Sequence, residues 1–232
     1  MTERIYSVAL SGLPEIGVEA QKIRALLNAY GTEYDFCRFF RHDGGYLAAL
    51  DGSFVIYADD RTDVTELAEF LKIHGWSDIF CSEDIAKALC SRISGTYTPV
   101  YRMNYSGCFG TGTLPQECSP SEVWDIIGSR FAIEFEPWYL DMSHRVRHGV
   151  SRCYRNGDSA LVVQHEIGGE ALISQVCTRQ GCEGRGSASG LLREVCGGLS
   201  ARAYVLCEHS LCGFYEKCGF ESAAQKYAAI TK

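Results

Sequence analysis

Basic residues are in the minority: 22 Lys and Arg against 29 Asp and Glu leave a formal net charge of −7, with a pI near 5.4. A surface that neutralises a phosphate backbone needs the opposite balance, so a general nucleic-acid binder is excluded. No apolar run reaches the roughly 18 residues of a membrane helix. The opening MTERIYSVAL lacks both a basic n-region and a small-residue cleavage site. The expectation is a soluble, cytoplasmic protein with no membrane partner. Cysteine is abundant, with 12 residues, but no CxxC pair occurs, and the spacings of Cys207, Cys212 and Cys218 fit no common zinc site. No metal is expected, and the thiols read as reduced, mostly small buried hydrophobes.

Hydrophobic residues make up 46% of the chain and aromatics 12%, enough to fill a core over 232 residues. In residues 13 to 30, Ile16, Ala20, Ile23, Leu26 and Leu27 recur on one helical face, and Gly31 follows as a stop. Three β-rich runs come next, at 34–40, 46–50 and 54–57. Asp43-Gly44-Gly45 and Asp51-Gly52 separate them as hairpin turns, which predicts an antiparallel meander. Asp63 is placed to cap a helix over VTELAEFLKIHG. A strand at 79–81, a helix at 83–90 and a strand at 99–105 complete a compact α/β unit over residues 1–105.

Residues 106–120, SGCFGTGTLPQECSP, have no hydrophobic period and read as a linker. Ser119-Pro120-Ser121-Glu122 is a capping box with Pro at the first helical position, so a helix is expected to about Phe131. Pro137 opens a second helical segment ended by Gly149. Strands follow at 150–155, 159–166 and 170–178, with turns at Asn156-Gly157 and Gly168-Gly169. This second unit spans 121–232.

The strand ALISQVCT runs into RQGCEGRGSASGLLREVCGGL, a glycine-rich turn that opens a helix with Leu191, Leu192, Val195 and Leu199 on its apolar face. Glycines admit a ligand close to the backbone, and free N–H groups at a helix start attract phosphate. Neither the Gly-Lys-Ser/Thr ending of a P-loop nor a complete dinucleotide fingerprint is present. Further on, the strand ARAYVLCE leads to HSLCGFYEKCGF and then to a β-prone KYAAITK. His209 beside Cys207 does not make a thiol hydrolase pair, because strand neighbours point to opposite faces.

Two ordered motifs in the last hundred residues resemble those of the GNAT superfamily of N-acetyltransferases. Glu183 to Ala188, EGRGSA, lies on the Q/R-x-x-G-x-G/A motif, with Gly186 and Ala188 matching. Phe214 to Phe220, FYEKCGF, is similar to the F-Y-e-k-x-G-F motif. Glu183 departs from the family's Gln or Arg. The resemblance implies a mixed-sheet α/β fold in the C-terminal half and acetyl-CoA as cofactor. It implies that the strand ending in Val176, Cys177 and Thr178 pairs with the pantetheine arm. Gly184, Arg185, Gly186, Ser187, Ala188 and Ser189 would hold the pyrophosphate, with Phe214 beside the cofactor. Tyr215 matches the tyrosine that protonates the departing thiolate. Glu208, at the end of the preceding strand, is the candidate base that frees an amine for attack.

The segment Ser143 to His148 falls where the family walls its acceptor pocket. His144, Arg147 or His148 facing the cleft would select an acceptor bearing an anionic group, with Trp138, Tyr139 and Asp141 on the same wall. The N-terminal half repeats the order of elements without a glycine-rich turn; Asp59-Asp60-Arg61-Thr62-Asp63 stands in that place, and an acidic run repels phosphate. It resembles a degenerate, cofactor-free GNAT-like repeat, the alternative being an unrelated α/β domain. The expected function is acetyl-CoA-dependent acetylation of a primary amine on a small molecule or peptide by a monomer or homodimer. The competing reading is a non-catalytic acetyl-CoA-binding sensor or scaffold.

Overall fold

The computed structural model describes residues 3–5, as backbone, and 12–232; most of the opening decapeptide read above therefore lies outside the described residues. The fold is α/β with mixed sheets, and the chain forms two compact units, one of residues 1–101 with 224–232 and one of residues 102–223. No helix among the described residues is long and apolar enough to cross a membrane.

In the first unit the order is β1 (Glu3–Ile5), α1 (Val18–Tyr30), β2 (Cys37–His42), β3 (Gly45–Leu50), β4 (Ser53–Ala58), α2 (Val64–His74), β5 (Asp78–Ser82) and α3 (Glu83–Cys90), followed by the start of β6 (Thr96–Tyr105). Strands β1 to β4 pair antiparallel in sequence. Strand β4 pairs parallel with β5 over Ser53–Val55 and Asp78–Phe80. The C-terminal half of β12 (Phe220–Thr231) closes this sheet by pairing antiparallel with β5 over Tyr227–Thr231. At Asp51-Gly52 both φ angles are positive, 48° and 87°, as a two-residue hairpin of matching twist requires. Helix α1 starts five residues later than the period suggested. Gly17, at φ 118°, interrupts the chain there, so Ile16 is 74% exposed while Ala20, Ile23 and Leu26 are buried. Strand β2 likewise begins at Cys37, because Tyr34 and Phe36 are drawn into an aromatic cluster with Tyr30. Leu47, Phe54, Ile56, Leu67, Leu71 and Ile79 are among the residues of this unit's core.

The second unit runs from the end of β6 through β7 (Glu117–Cys118), α4 (Pro120–Ile127), α5 (Phe135–Arg147), β8 (Arg152–Asn156), β9 (Ser159–Ile167), β10 (Glu170–Thr178), α6 (Ser187–Gly198), β11 (Arg202–Cys207) and α7 (His209–Lys217) into the start of β12. Its sheet order is β6-β11-β10-β9-β8-β7. Strand β7 forms within the segment read as irregular, where Glu117 and Cys118 pair with Tyr154 and Cys153. Ahead of it, Thr111 and Gly112 donate to the Gly197 carbonyl at the end of α6. The capping box of Ser119 and Glu122 starts α4. Ser159 to Val163 in β9 are all buried, as befits a strand covered on both faces. One face packs under α4, with Val123, Ile126 and Ile127 against Ala160, Val162 and Cys177. Helix α6 also packs on β8, β9 and β10, with Leu191, Leu192 and Val195 buried. Arg102 of β6 pairs with Glu170 and holds its guanidinium 4.3 Å from the ring centre of Tyr204.

Candidate active site

Strands β10 and β11 run parallel only from Glu170↔Arg202 to Ile173↔Val205. Past that point β10 departs: its register with β9 shifts between Leu172 and Ile173 and again between Ser174 and Cys177. Gln175 sits at φ 51°, left-handed backbone that a non-glycine residue adopts only at some cost. Trp138 of α5 donates its indole N–H to Gln175 Oε1 at 3.1 Å, which ties the bulge to the helix beside it. Ser174 to Thr178 are left without a ladder partner on the β11 side. A bulge that opens two parallel strands in this way presents backbone donors and acceptors to a ligand.

The chain then turns through Arg179–Gly186 into α6. Arg179 fixes the start of the turn by ion pairs to Asp125 Oδ2, at 2.5 Å, and Asp158 Oδ1, at 3.1 Å. Gly184 and Gly186 take φ 78° and 77°, conformations in which other residues are strained. A Cβ at Gly184 would meet no atom within 4 Å, so glycine serves the backbone angle there and leaves space above the turn. Gly186 is the N-cap of α6, no side chain caps the helix, and its first turn holds no acidic residue. The first N–H groups of α6 are therefore available at the positive end of its dipole.

Glu183 does not add an uncompensated negative charge here. Its Oε1 accepts from Arg130 at 2.7 Å and its Oε2 accepts from the Gly181 N–H at 2.7 Å. Backbone hydrogen bonds, its own first and that of Gly181 next, hold its carboxyl below the usual range, with Arg130 adding to them. The residue braces the turn that a Gln or Arg would otherwise enter.

A cavity of about 720 Å³ lies over this junction, within the roughly 300–1,000 Å³ typical of ligand pockets. Val176, Cys177, Thr178, Gly184, Arg185, Gly186, Ser187, Ala188, Ser189 and Phe214 all line it. So do Arg130, Phe131, Cys182, Leu211 and Lys217, which the sequence reading did not single out. Leu211, Phe214 and Lys217 recur every three residues along α7, so helical period alone could have added the first and last. Arg130 and Phe131 follow α4, some fifty residues earlier, and carried no local signal. Burial pushes the Cys177 thiol up to about 11, against a lowering by Arg130. Cys182 is also raised, by desolvation first and by its bond to Asp158 next. Both cavity thiols are thus held protonated near neutral pH.

The other expected residues are placed differently. Tyr215 is 7% exposed, is not in the cavity lining, and packs edge-on against Phe214 and Phe220 at 5.1 and 5.6 Å. Burial raises its phenol well above the ordinary value, and the neighbouring thiols of Cys207, Cys218 and Cys177 add to the effect. Glu208 is the exposed N-cap of α7 with no side-chain bond to the helix. The rings of His144 and His148 lie 4.2 Å apart at a tilt of 32°, and His148 Nδ1 lies 2.9 Å from the His144 carbonyl. Arg147 is exposed, and Arg145 pairs with Asp141 at 2.7 Å. None of Glu208, His144, Arg147, His148, Tyr139 or Asp141 lines the cavity. Tyr139 packs at a tilt against Phe135, and Trp138 against Trp124. No group of three or more potential metal-ligating side chains occurs among the described residues.

Solved structures share this fold along most of the chain. An acetyltransferase of the GNAT family from Colwellia psychrerythraea aligns over all of both chains with a TM-score of 0.53 and 14% identity. A GCN5-related N-acetyltransferase from Kribbella flavida aligns over 92% of this chain and 93% of its own, with a TM-score of 0.58 and 11% identity. A putative acetyltransferase of the GNAT family from Novosphingobium aromaticivorans aligns over 90% and 96%, with a TM-score of 0.53 and 16% identity. No family model matches the sequence, and no curated protein is detectably similar to it. The fold is that of GNAT acetyltransferases.

Proposed function

We propose that this chain transfers an acetyl group from acetyl-CoA to a primary amine, with the cofactor in the cavity at the split of β10 and β11. The observation that carries this reading is the uncapped start of α6 beside an unpaired strand edge, both lining one cavity. The residues fit the cofactor's chemistry. The first N–H groups of α6 suit a pyrophosphate, and Arg185, Arg130 and Lys217 supply cations along the lining. The free edge of Val176 to Thr178 suits an extended amide-bearing arm, and Leu211, Phe131 and Phe214 suit its apolar parts. The cofactor supplies an acetyl group activated as a thioester.

The chain's own residues then do the proton work. Tyr215 keeps its proton at Oη across the whole neutral range because burial disfavours the phenolate, and it is the residue that would give a proton to a leaving thiolate. Glu208, free at the N-cap of α7, takes a proton from the incoming ammonium so that a lone pair is available. Cys177 and Cys182 are held as thiols, which disfavours an acyl-cysteine route and favours direct attack by the amine. His144 and Arg147 form the acceptor side and favour a small-molecule or peptide amine that carries an anionic group. The first unit, read as a degenerate repeat, serves as a cofactor-free companion. The second reading is a non-catalytic GNAT-like module that binds acetyl-CoA as a sensor or scaffold, favoured by the position of Tyr215 outside the cavity lining.

Calorimetric titration of the wild type and Gly186→Glu with acetyl-CoA tests the site. Binding by the wild type and none by the variant is expected, because Glu adds charge and bulk to the cradle. Equal affinity removes the assignment. An acceptor library followed by thiol release then separates enzyme from sensor: cofactor binding without turnover on any amine favours the second reading.

A further inference from the structure

Two thiols at the junction of β11 and α7 carry chemistry that acetyl transfer does not use. Cys207 is the last residue of β11 and Cys212 lies early in α7. Their Sγ atoms are 4.0 Å apart. A disulfide needs about 2.05 Å between sulfurs, so closure asks for roughly 2 Å of movement shared between a strand end and a helix start. Cys207 is 6% exposed, whereas Cys212 is partly exposed and lies 3.8 Å from the Glu208 carbonyl. The accessible sulfur and the buried one thus have the arrangement of an attacking and a resolving thiol.

We infer that Cys207 and Cys212 form a reversible dithiol–disulfide site that reacts with low-molecular-weight disulfides. The Cys212 thiolate attacks one sulfur of the oxidant, making a mixed disulfide and expelling one small thiol. Cys207 then loses its proton to solvent and attacks Cys212 Sγ, expelling the second small thiol. The protein loses two hydrogens and the oxidant is reduced to two thiols. Burial and the adjoining Cys212 raise the Cys207 thiol, and the second of these influences ends once Cys212 is capped. The resolving step is thereby eased by the first. The disulfide ties the end of β11 to the start of the helix that presents Leu211 and Phe214 to the cavity.

The test reads thiol state and stands apart from acetyl transfer. The native full-length chain is incubated with oxidised glutathione, quenched in acid, alkylated and mapped by mass spectrometry. Exposed Cys108 reports that the oxidant has reached the protein. Expected are a peptide pair joined through Cys207 and Cys212, two hydrogens lighter than the free peptides, with loss of alkylation at both and full recovery after dithiothreitol. C207S is expected to stop at a glutathione adduct on Cys212, and C212S to leave Cys207 free. If wild-type Cys207 and Cys212 are both alkylated while Cys108 carries the adduct, the inference is overturned. A stable adduct on wild-type Cys212 without the cross-link, or a cross-link to other cysteines instead, overturns it equally.

Discussion

Adding one methyl group at two glycines one helical turn apart is expected to act with opposite signs on stability, which tests the backbone reading of the turn that opens α6. Gly186 has φ 77° and ψ 4°, and an added Cβ would meet only Ser189 Oγ, at 3.8 Å. There is no clash, so the cost of Gly186→Ala is conformational, about 1–2 kcal/mol for a left-handed L-residue. Gly190 lies inside α6, donates to the Gly186 carbonyl at 2.9 Å, and would meet nothing within 4 Å. Gly190→Ala is expected to stabilise by about 0.4–1 kcal/mol, through helix propensity and a less entropic unfolded chain. At roughly 2–4 °C per kcal/mol for a chain of this size, the two variants are expected to bracket the wild type in melting temperature. Urea titration followed by circular dichroism checks the order. Acetyl-CoA affinity is expected to fall in Gly186→Ala, by up to tenfold for every 1.4 kcal/mol of strain the turn must restore. A Gly186→Ala protein as stable as wild type, with unchanged affinity, refutes the argument, as does a destabilised Gly190→Ala.

Tyr215→Phe is expected to lower kcat by roughly 10- to 100-fold, at the low end of general acid catalysis, with cofactor affinity nearly unchanged. Equal kcat at saturating acceptor returns Tyr215 to a packing role. Because burial raises this phenol, it stays protonated below its unfolded value near 10, and its contribution to stability is lost only as pH rises beyond that. A pH–rate profile of the wild type is therefore expected to show no alkaline fall below about pH 10 that disappears in Tyr215→Phe. Trp138→Phe removes the donor to Gln175 and is expected to cost about 1 kcal/mol and to weaken acetyl-CoA binding, measured by denaturation and calorimetry; an unchanged affinity separates the bulge from the site. Native mass spectrometry is expected to show one coenzyme A per chain, and two would mean that the first unit also cradles phosphate.

Local chemistry was legible in the sequence wherever a residue satisfies its own neighbours. Asp63 accepts from the N–H groups of Thr65 and Glu66, the capping box of Ser119 and Glu122 closes on itself, and Gly168-Gly169 turns with both φ angles positive. The glycine-rich turn and its helix belonged to the same class. What the sequence did not display depends on partners far along the chain. Strand β12 starts at Phe220 and ends paired with β5, a partner some 150 residues away that no period announces. Glu183 stands out in the sequence only as a departure from Gln or Arg, because Arg130, its ion-pair partner, lies more than fifty residues earlier. Gln175 reads as one more residue of an alternating strand, yet its positive φ turns β10 aside and opens the cavity.

The two units share an order of elements and one parallel strand pair each, β4 with β5 and β10 with β11, but the helices that follow β4 and β10 begin in opposite ways. Helix α2 starts at Asp63, whose carboxylate occupies two of its first N–H groups, at 2.8 and 3.2 Å. Those bonds hold the carboxyl below its usual range, so the charge persists through neutral pH and meets any anion that approaches. Asp59, just upstream, is likewise turned onto Arg61, at 2.6 Å, and closes its own turn. Helix α6 starts at a glycine with nothing to offer its amides, and the carboxylate in the turn before it, Glu183, is engaged by Arg130 and Gly181. One helix start is therefore satisfied within the chain and negatively charged, while the other is unsatisfied and flanked by cations. Since a helix N-terminus binds anions only while its amides are free, this difference in capping is the reason one coenzyme A, and not two, is expected per chain.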